Sequence, residues 1–368
     1  MSRCELLVNG QAWGGWKRVE IQRGLEQIAG GFALELTSRW PGVDKPVGLR
    51  EGLACEVRLD GETVITGHID LFEPDMTETS STVRVEGRDR TGDLVDCSAI
   101  HKTGQWRGAR LEQIVKDLAA PFGIVVTVAT RTGDVFKTFA LEDGETAFDA
   151  IDRACRLRGV LATSTADGRL LLTRASAQVN PVRLVEGLNI KRIKASHSWK
   201  DRHSEIIVKS QVAGDDDSYG AAVAHIKASA KDGEINRYRP LIVMSEHGST
   251  SKALAERAKW ETQVRMGRGK RGTCTVVGWR MEGDGTTGAL WLPNTLVHVH
   301  SPRMNLSQEM LIVGCKYMLD DQGTTTELEF ARREAFELEG APTRQRKKKD
   351  SGDGFVASWE LDAPGGAR

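Results

Sequence analysis

The chain has 368 residues, with 51 Lys and Arg balancing 51 Asp and Glu, so its formal net charge is zero. That length exceeds what one hydrophobic core usually organises, and about two to three domains are expected. The charge balance excludes a general attraction to nucleic acid or anionic lipid. No apolar run approaches the ~20 residues of a membrane helix, and the start, Met1-Ser2-Arg3-Cys4-Glu5, lacks the apolar core of a secretory leader.

Residues 6–89 read as all-β. Leu6-Leu7-Val8 runs into Asn9-Gly10, and residues 55–59 meet Asp60-Gly61, both strong hairpin signals. With alternating stretches at 18–21, 32–37, 64–71 and 82–87, the segment predicts a barrel or sandwich of about six strands. From Thr91 the period changes. Residues 111–118 place apolar side chains at helical spacing and Pro121 ends the run. A second helix is predicted at 146–155, after Asp143-Gly144. A short strand at 124–128 and a hairpin through Asp167-Gly168 complete a small α+β insert, whose amphipathic helices need only core packing.

Residues 188–208 return to strands, and 213–248 are turn-rich with one extended run at 239–243. Residues 253–265 are rich in helix formers. A β-branched strand at 273–279 and a strand at 296–300 follow, and then a hairpin through Asp320-Asp321-Gln322-Gly323. Beyond Glu334 the pattern fades, and the basic run Arg344-Gln345-Arg346-Lys347-Lys348-Lys349 reads as part of a flexible tail. The domain boundaries expected are 1–95, 96–182, 183–212 together with 253–335, a turn-rich insertion at 213–252, and the tail at 336–368.

One internal likeness stands out. Val64-Ile65-Thr66-Gly67 resembles Leu311-Ile312-Val313-Gly314, and each is preceded by a strand and followed by an acidic turn and another alternating strand. The two ends of the chain read as copies of one β unit.

The chemical motifs are weak. Gly267-Arg268-Gly269-Lys270-Arg271-Gly272 spells Gly-x-Gly-x-x-Gly, but it follows a helix and precedes a strand. A dinucleotide site needs the opposite order, so a flexible loop is expected. His298 and His300 share a strand face without a third metal ligand nearby. Asp215-Asp216-Asp217 lacks the calcium-loop pattern, and no Gly-x-Ser-x-Gly elbow accompanies His197 and His203. The six cysteines, Cys4, Cys55, Cys97, Cys155, Cys274 and Cys315, form no Cys-x-x-Cys pair and read as free thiols. No catalytic, cofactor or metal residues are assigned. Among the tryptophans, Trp260 and Trp279 read as core, whereas Trp13, Trp16 and Trp291 suit either the core or an interface.

The helix carrying Trp260, the strand ending Gly278-Trp279, Gly288-x-Leu290-Trp291-x-Pro293-Asn294, Leu311-Ile312-Val313 and the Gly323-Thr324-Thr325 hairpin together carry a family likeness. The chain resembles the hub proteins of contractile phage tail baseplates, the Mu-like late control or 43 kDa tail proteins, and is similar to T-even central hubs. The likeness spans residues 6–334. It implies a mainly β fold with α+β insertions, in which two similar tube-type β-barrels per chain form a pseudo-sixfold ring as a homotrimer. It implies a structural, non-enzymatic part of the virion tail baseplate, assembled in the bacterial host cytoplasm. The partners implied are a central spike protein, the tail tube protein, other baseplate proteins, and DNA passing without sequence-specific binding; direct membrane insertion is not expected. The alternatives are a tail-associated peptidoglycan hydrolase, a carbohydrate-binding β protein, and the hub of a phage-derived secretion or pyocin-type particle.

Overall fold

A computed structural model describes residues 3–37, 48–78, 81–210, 226–245, 251–282 and 285–337. The basic run at 344–349 and the triple aspartate at 215–217 lie outside the described residues. The first seven strands are β1 (Cys4–Val8), β2 (Gln11–Trp13), β3 (Arg18–Gly24), β4 (Gly31–Thr37), β5 (Ala54–Leu59), β6 (Glu62–Met76) and β7 (Ser81–Asp89). Asn9 and Gly10 turn β1 into β2, and Asp60 and Gly61 turn β5 into β6. Their φ angles are 51°, 77°, 50° and 81°, the left-handed pairs that let a two-residue turn follow strand twist.

The next segment holds α1 (Gly92–Asp96), β8 (Gln105–Ala109), α2 (Leu111–Ala119), β9 (Val126–Val128), β10 (Phe136–Ala140), α3 (Ala147–Arg156), β11 (Leu161–Ser164) and β12 (Leu170–Thr173). A capping box starts α3. The Asp149 N–H donates to Thr146 Oγ1 at 3.1 Å, and the Thr146 N–H donates to the Asp149 carboxylate at 3.3 Å, satisfying two donors that the helix leaves open. The two helices bury Ile114, Leu118 and Ile151 against Leu170 and Leu172 in a core separate from the large sheet.

The remaining elements are β13 (Leu184–Val185), β14 (Arg192–His197), β15 (Glu205–Ser210), β16 (Ile226–Lys231), β17 (Pro240–Ser245), α4 (Ser251–Arg268), β18 (Lys270–Val277), β19 (Arg280–Glu282), β20 (Thr287–Leu290), β21 (Leu296–Ser301), β22 (Leu306–Asp320) and β23 (Gly323–Ala331). β15 pairs with β16 and β17 in a sheet of its own. Ile206 and Val208 alternate on β15 and are covered by Leu254 and Ala258 of α4. The insertion therefore takes in residues 205–210, which the boundary at 213 left with the second β domain.

Thirteen strands form one sheet, in the order β14-β18-β23-β22-β3-β4-β7-β6-β5-β1-β2, with β21 joining β22 and β13 joining β21. Two barrels were expected, but no closed barrel forms among the described residues. The reason lies in the 15-residue β22. Its residues 306–311 pair with β21, residues 311–320 with β23, and residues 314–319 with β3. The last ladder joins the first β unit to the second, so both bury one continuous core running from Leu6 and Val57 to Leu328 and Phe330.

The two units repeat one topology. Along the sheet the first runs β3-β4-β7-β6-β5-β1 and the second β14-β18-β23-β22-β21-β13, which is the same spatial order visited in the same chain order. Only the last pairing differs, since β1 is antiparallel to β5 while β13 is parallel to β21. A bulge sits between Ile69 and Leu71 in β6, and another between Ile312 and Gly314 in β22. Beside each bulge an aromatic ring faces a glycine across the ladder, Phe32 opposite Gly87 and Phe330 opposite Gly272, with the residue types exchanged between strands. This frame matches Ile69 to Ile312. The comparison of Gly67 with Gly314 was four residues out of register, because the bulge that sets the frame has no signature in the sequence.

Candidate assembly surface

The contact between like units within the chain is the β3–β22 ladder. Gly24 faces Gly314, Ile21 faces Tyr317 and Val19 faces Leu319. Val19, Ile21 and Tyr317 are buried, and on the outer face Lys316 Nζ lies 2.6 Å from a Glu20 carboxylate oxygen. The Tyr317 hydroxyl donates to the Trp291 carbonyl; burial raises its pKa well above the phenolic range, so it stays a neutral donor. Trp279 Nε1 donates to the Met318 carbonyl at 3.0 Å. The junction is thus an apolar core with the Lys316–Glu20 ion pair on its rim. Further ties cross the units where Arg271 pairs with Glu26 and where Arg280 reaches Asp60 at 3.5 Å and Glu62 at 3.4 Å.

The tryptophans divide by depth. Trp16 and Trp291 are 6% and 2% exposed and belong to the main core. Their indole N–H groups meet no acceptor among the described residues. Trp13 is half-buried on β2, the last strand of the sheet. Trp279 is fully buried, as expected, whereas Trp260 is half-buried and donates to the Glu337 carbonyl. The Trp291 ring also lines a cleft of about 630 Å³ with Val182, Ile190, Val276 and Met281.

The glycine-rich stretch at 267–272 is no flexible loop. Gly267 lies inside α4 and Gly272 inside β18. A Cβ on Gly267 would stand 2.4 Å from the Ala335 nitrogen, on Gly269 2.7 Å from the Ser198 carbonyl oxygen, and on Gly272 2.6 Å from the Lys194 carbonyl oxygen. These glycines admit neighbouring backbone, which explains the spacing without a phosphate. His300 Nδ1 lies 3.1 Å from Ser307 Oγ, and no group of three or more His, Cys, Asp or Glu among the described residues is placed to hold a metal. All six cysteines are free, and Cys97 alone is exposed. Burial pushes the Cys4, Cys55 and Cys274 thiols up to about 12, which keeps them protonated and unreactive near neutral pH.

Sequence reading missed Arg202. Its side chain, 2% exposed, bonds Asp232 through Nε at 2.9 Å and Nη2 at 3.0 Å, and Nη2 also reaches Glu234 at 2.8 Å. The bidentate pair ties the turn after β16 to the segment before β15. Asp232 and Glu234 fall within the stretch at 213–248 that reads only as turn-rich, because the arginine lies about thirty residues away in sequence.

Comparisons with known proteins place these features in context. Residues 91–174 match the second domain of the baseplate hub protein gp44-like family, and residues 3–89 match the N-terminal domain of Mu phage baseplate assembly protein GpP-like. Residues 249–339 match the fourth domain of GpP, and residues 202–260 the third domain of tail protein NMB1110-like. The chain is similar to baseplate hub protein gp44 of Escherichia phage Mu, at 34% identity over 95% of this chain and 93% of that protein. Its fold is similar to the 43 kDa tail protein of prophage MuSo2 from Shewanella oneidensis, with 37% identity and a TM-score of 0.80 over 91% of this chain and 99% of that one. A tail protein from Neisseria meningitidis MC58 shares 25% identity and a TM-score of 0.75 over 92% and 99%.

Proposed function

This chain belongs to the family of Mu-like phage baseplate hub proteins, and from that premise we propose that three copies close into a ring joining the tail tube to the central spike. The observation supporting this is the repeated β unit, two of which lie side by side in one sheet. Three such chains offer six similar positions to a six-fold tube and keep three-fold symmetry for a trimeric spike. Each neighbour contact would be head-to-tail, the type that closes rings. The chain acts as a structural part, without catalysis, in company with other baseplate proteins. Its central channel passes DNA without reading its sequence, in keeping with the zero net charge. It is made in the host cytoplasm and ends in the virion tail. Of Trp13, Trp16 and Trp291, the half-exposed Trp13 at the end of the sheet is the one placed to touch a neighbour, since Trp16 and Trp291 are buried in the main core.

The test is solution mass by light scattering, followed by electron microscopy of the particle viewed down its axis. A three-chain mass with six similar lobes is expected, and a monomer at tens of micromolar refutes the reading. Purified cell walls incubated with the same preparation should keep their turbidity; clearing would instead favour the peptidoglycan hydrolase.

A further inference from the structure

We propose that the cleft bordered by Trp291 is a peptide-binding site. Its occupant is the chain's own segment Phe355-Val356-Ala357-Ser358-Trp359-Glu360-Leu361, folded back from beyond Glu337. The docking needs one chain only and is independent of ring closure.

The cleft opens where β18 ends and β14 begins. Val276 and Trp291 in its lining are buried, and Ile190 and Met281 are half-buried. Two further lining residues are uncovered: Leu188 is 79% exposed and Val277 53%. The volume of about 630 Å³ lies within the ~300–1,000 Å³ of ordinary ligand sites, room for about two or three large side chains. Exposed apolar residues grouped on an apolar cleft mark a surface that something covers. One cation there is open. Arg280 is committed to Asp60 and Glu62, whereas Lys191 is exposed and pairs with no carboxylate among the described residues.

The chain supplies a matching segment. Residues 355–361 lie outside the described residues. Their sequence sets Phe355, Ala357, Trp359 and Leu361 at alternate positions, which is one face of an extended peptide. Outside this segment, Leu338 is the only large apolar residue between 338 and 368. Phe355 and Trp359 have the bulk to fill the cleft against Trp291, and Met281 offers a thioether to their rings. Glu360 and Asp362 bring carboxylates to Lys191.

Reach and charge both allow the docking within one chain. Ala331 faces Arg271 at one end of the β18–β23 ladder, and Val277 faces Thr325 at the other. From Glu337 back to Ala331 and along that ladder to Val277 is at most about 46 Å. Residues 338–354 separate Glu337 from the segment and can span up to ~56 Å. The path carries the complementary charge. Thr326, Leu328 and Phe330 of β23 are buried, so Glu327 and Glu329 stand on the opposite face, between the two ends of the ladder. The leash brings Arg344, Arg346, Lys347, Lys348 and Lys349 past them, within the ~8 Å over which exposed charges act at physiological salt. A tether of this kind holds its segment at about millimolar local concentration, so even a weak site is filled.

The test uses the full chain. Phe355→Asp/Trp359→Asp releases the segment and leaves the cleft untouched. A fluorescent peptide of residues 351–364, followed by anisotropy, should bind this released chain at least about tenfold more tightly than wild type, whose own segment competes. Adding Leu188→Asp/Val277→Asp to the released chain should abolish peptide binding; both positions are exposed, and an unchanged melting curve checks that the fold survives. Lys191→Glu should weaken binding about threefold, and a peptide carrying Glu360→Lys should recover the loss. In a Cys97→Ser background, Leu188→Cys with Ser358→Cys should form an intrachain disulfide as oxidised glutathione is reduced, seen as loss of both thiols with no gain in covalent mass. Ile100→Cys, at a position 81% exposed on the α+β insert, should not react with Ser358→Cys at a comparable rate. Failure of the peptide to bind the released chain, equal binding by wild type, or a disulfide no faster than the Ile100 control each overturns the docking. Interchain disulfides in place of intrachain ones overturn it too. A monomeric wild type would refute the ring alone, since every readout here is available in a single chain.

Discussion

Replacing Gly272 with alanine tests whether the aromatic–glycine pairs hold the two units in frame. A Cβ at Gly272 would lie 2.6 Å from the Lys194 carbonyl oxygen and 2.6 Å from Phe330 Cε2. Non-bonded carbon atoms prefer about 3.5–4.0 Å, so ring and strand must each yield by about an ångström. Overpacking of this kind costs ~1–3 kcal/mol. Phe330, 1% exposed, should cost ~3–5 kcal/mol when truncated to alanine. The double variant Gly272→Ala/Phe330→Ala separates the two obstacles. Removing the ring relieves one clash, and β14, the outer strand of the sheet, can retreat from the other. The combined loss should then fall below the sum by ~0.5–3 kcal/mol, as expected for residues in contact. The counterpart site behaves differently. A Cβ on Gly87 would lie 2.2 Å from the His68 carbonyl oxygen and 2.6 Å from Phe32 Cζ. β6 is an inner strand there and cannot retreat, so Gly87→Ala/Phe32→Ala should show little rescue. Urea unfolding followed by circular dichroism reads these differences as midpoint shifts. Wild-type midpoints for both glycine variants, or equal rescue at both sites, would refute the steric account.

Val299 is fully buried on β21, and Val299→Asp should leave no soluble folded protein because an unpaired buried charge costs several kcal/mol. His300→Ala, on the exposed face, should melt within about 2 °C of wild type. Arg202→Met removes the cation from a buried pair and should destabilise the insertion by ~3–5 kcal/mol, seen as earlier protease cleavage within 202–245. The bond from Arg202 holds the Glu234 carboxyl below its usual range. Its contribution is therefore complete above the unfolded pKa of about 4.3 and is lost as pH falls through the lower folded value. Hydrogen exchange in the insertion should accelerate across that acid window in wild type, and the acid dependence should shrink in Arg202→Met. Tyr317→Phe removes the donor to the Trp291 carbonyl and should cost ~1–3 kcal/mol in urea unfolding; no loss would mean that the carbonyl finds another donor.

The sequence by itself determined the local events. Asn9-Gly10 and Asp60-Gly61 specified their turns because a two-residue turn in a twisted hairpin needs left-handed backbone that few other residues adopt. Thr146 and Asp149 fixed the start of a helix, and the 91–174 region was legible as α+β from its change of period. The likeness of the two chain ends was also visible, since each keeps the same succession of strands and turns. Tertiary structure alone decided the frame of that repeat, the union of both units in one sheet, and the reason for the glycines at 267–272. Each depends on backbone from distant parts of the chain meeting at close range. The bulges at Asp70 and Val313 appear only once a partner strand supplies one residue against two. Gly272 is required because Lys194 and Phe330 crowd it from both sides, and Arg202 can be buried because Asp232 arrives from about thirty residues away to neutralise it. Periodicity records which face of a strand is apolar; it carries no record of which strand will cover it.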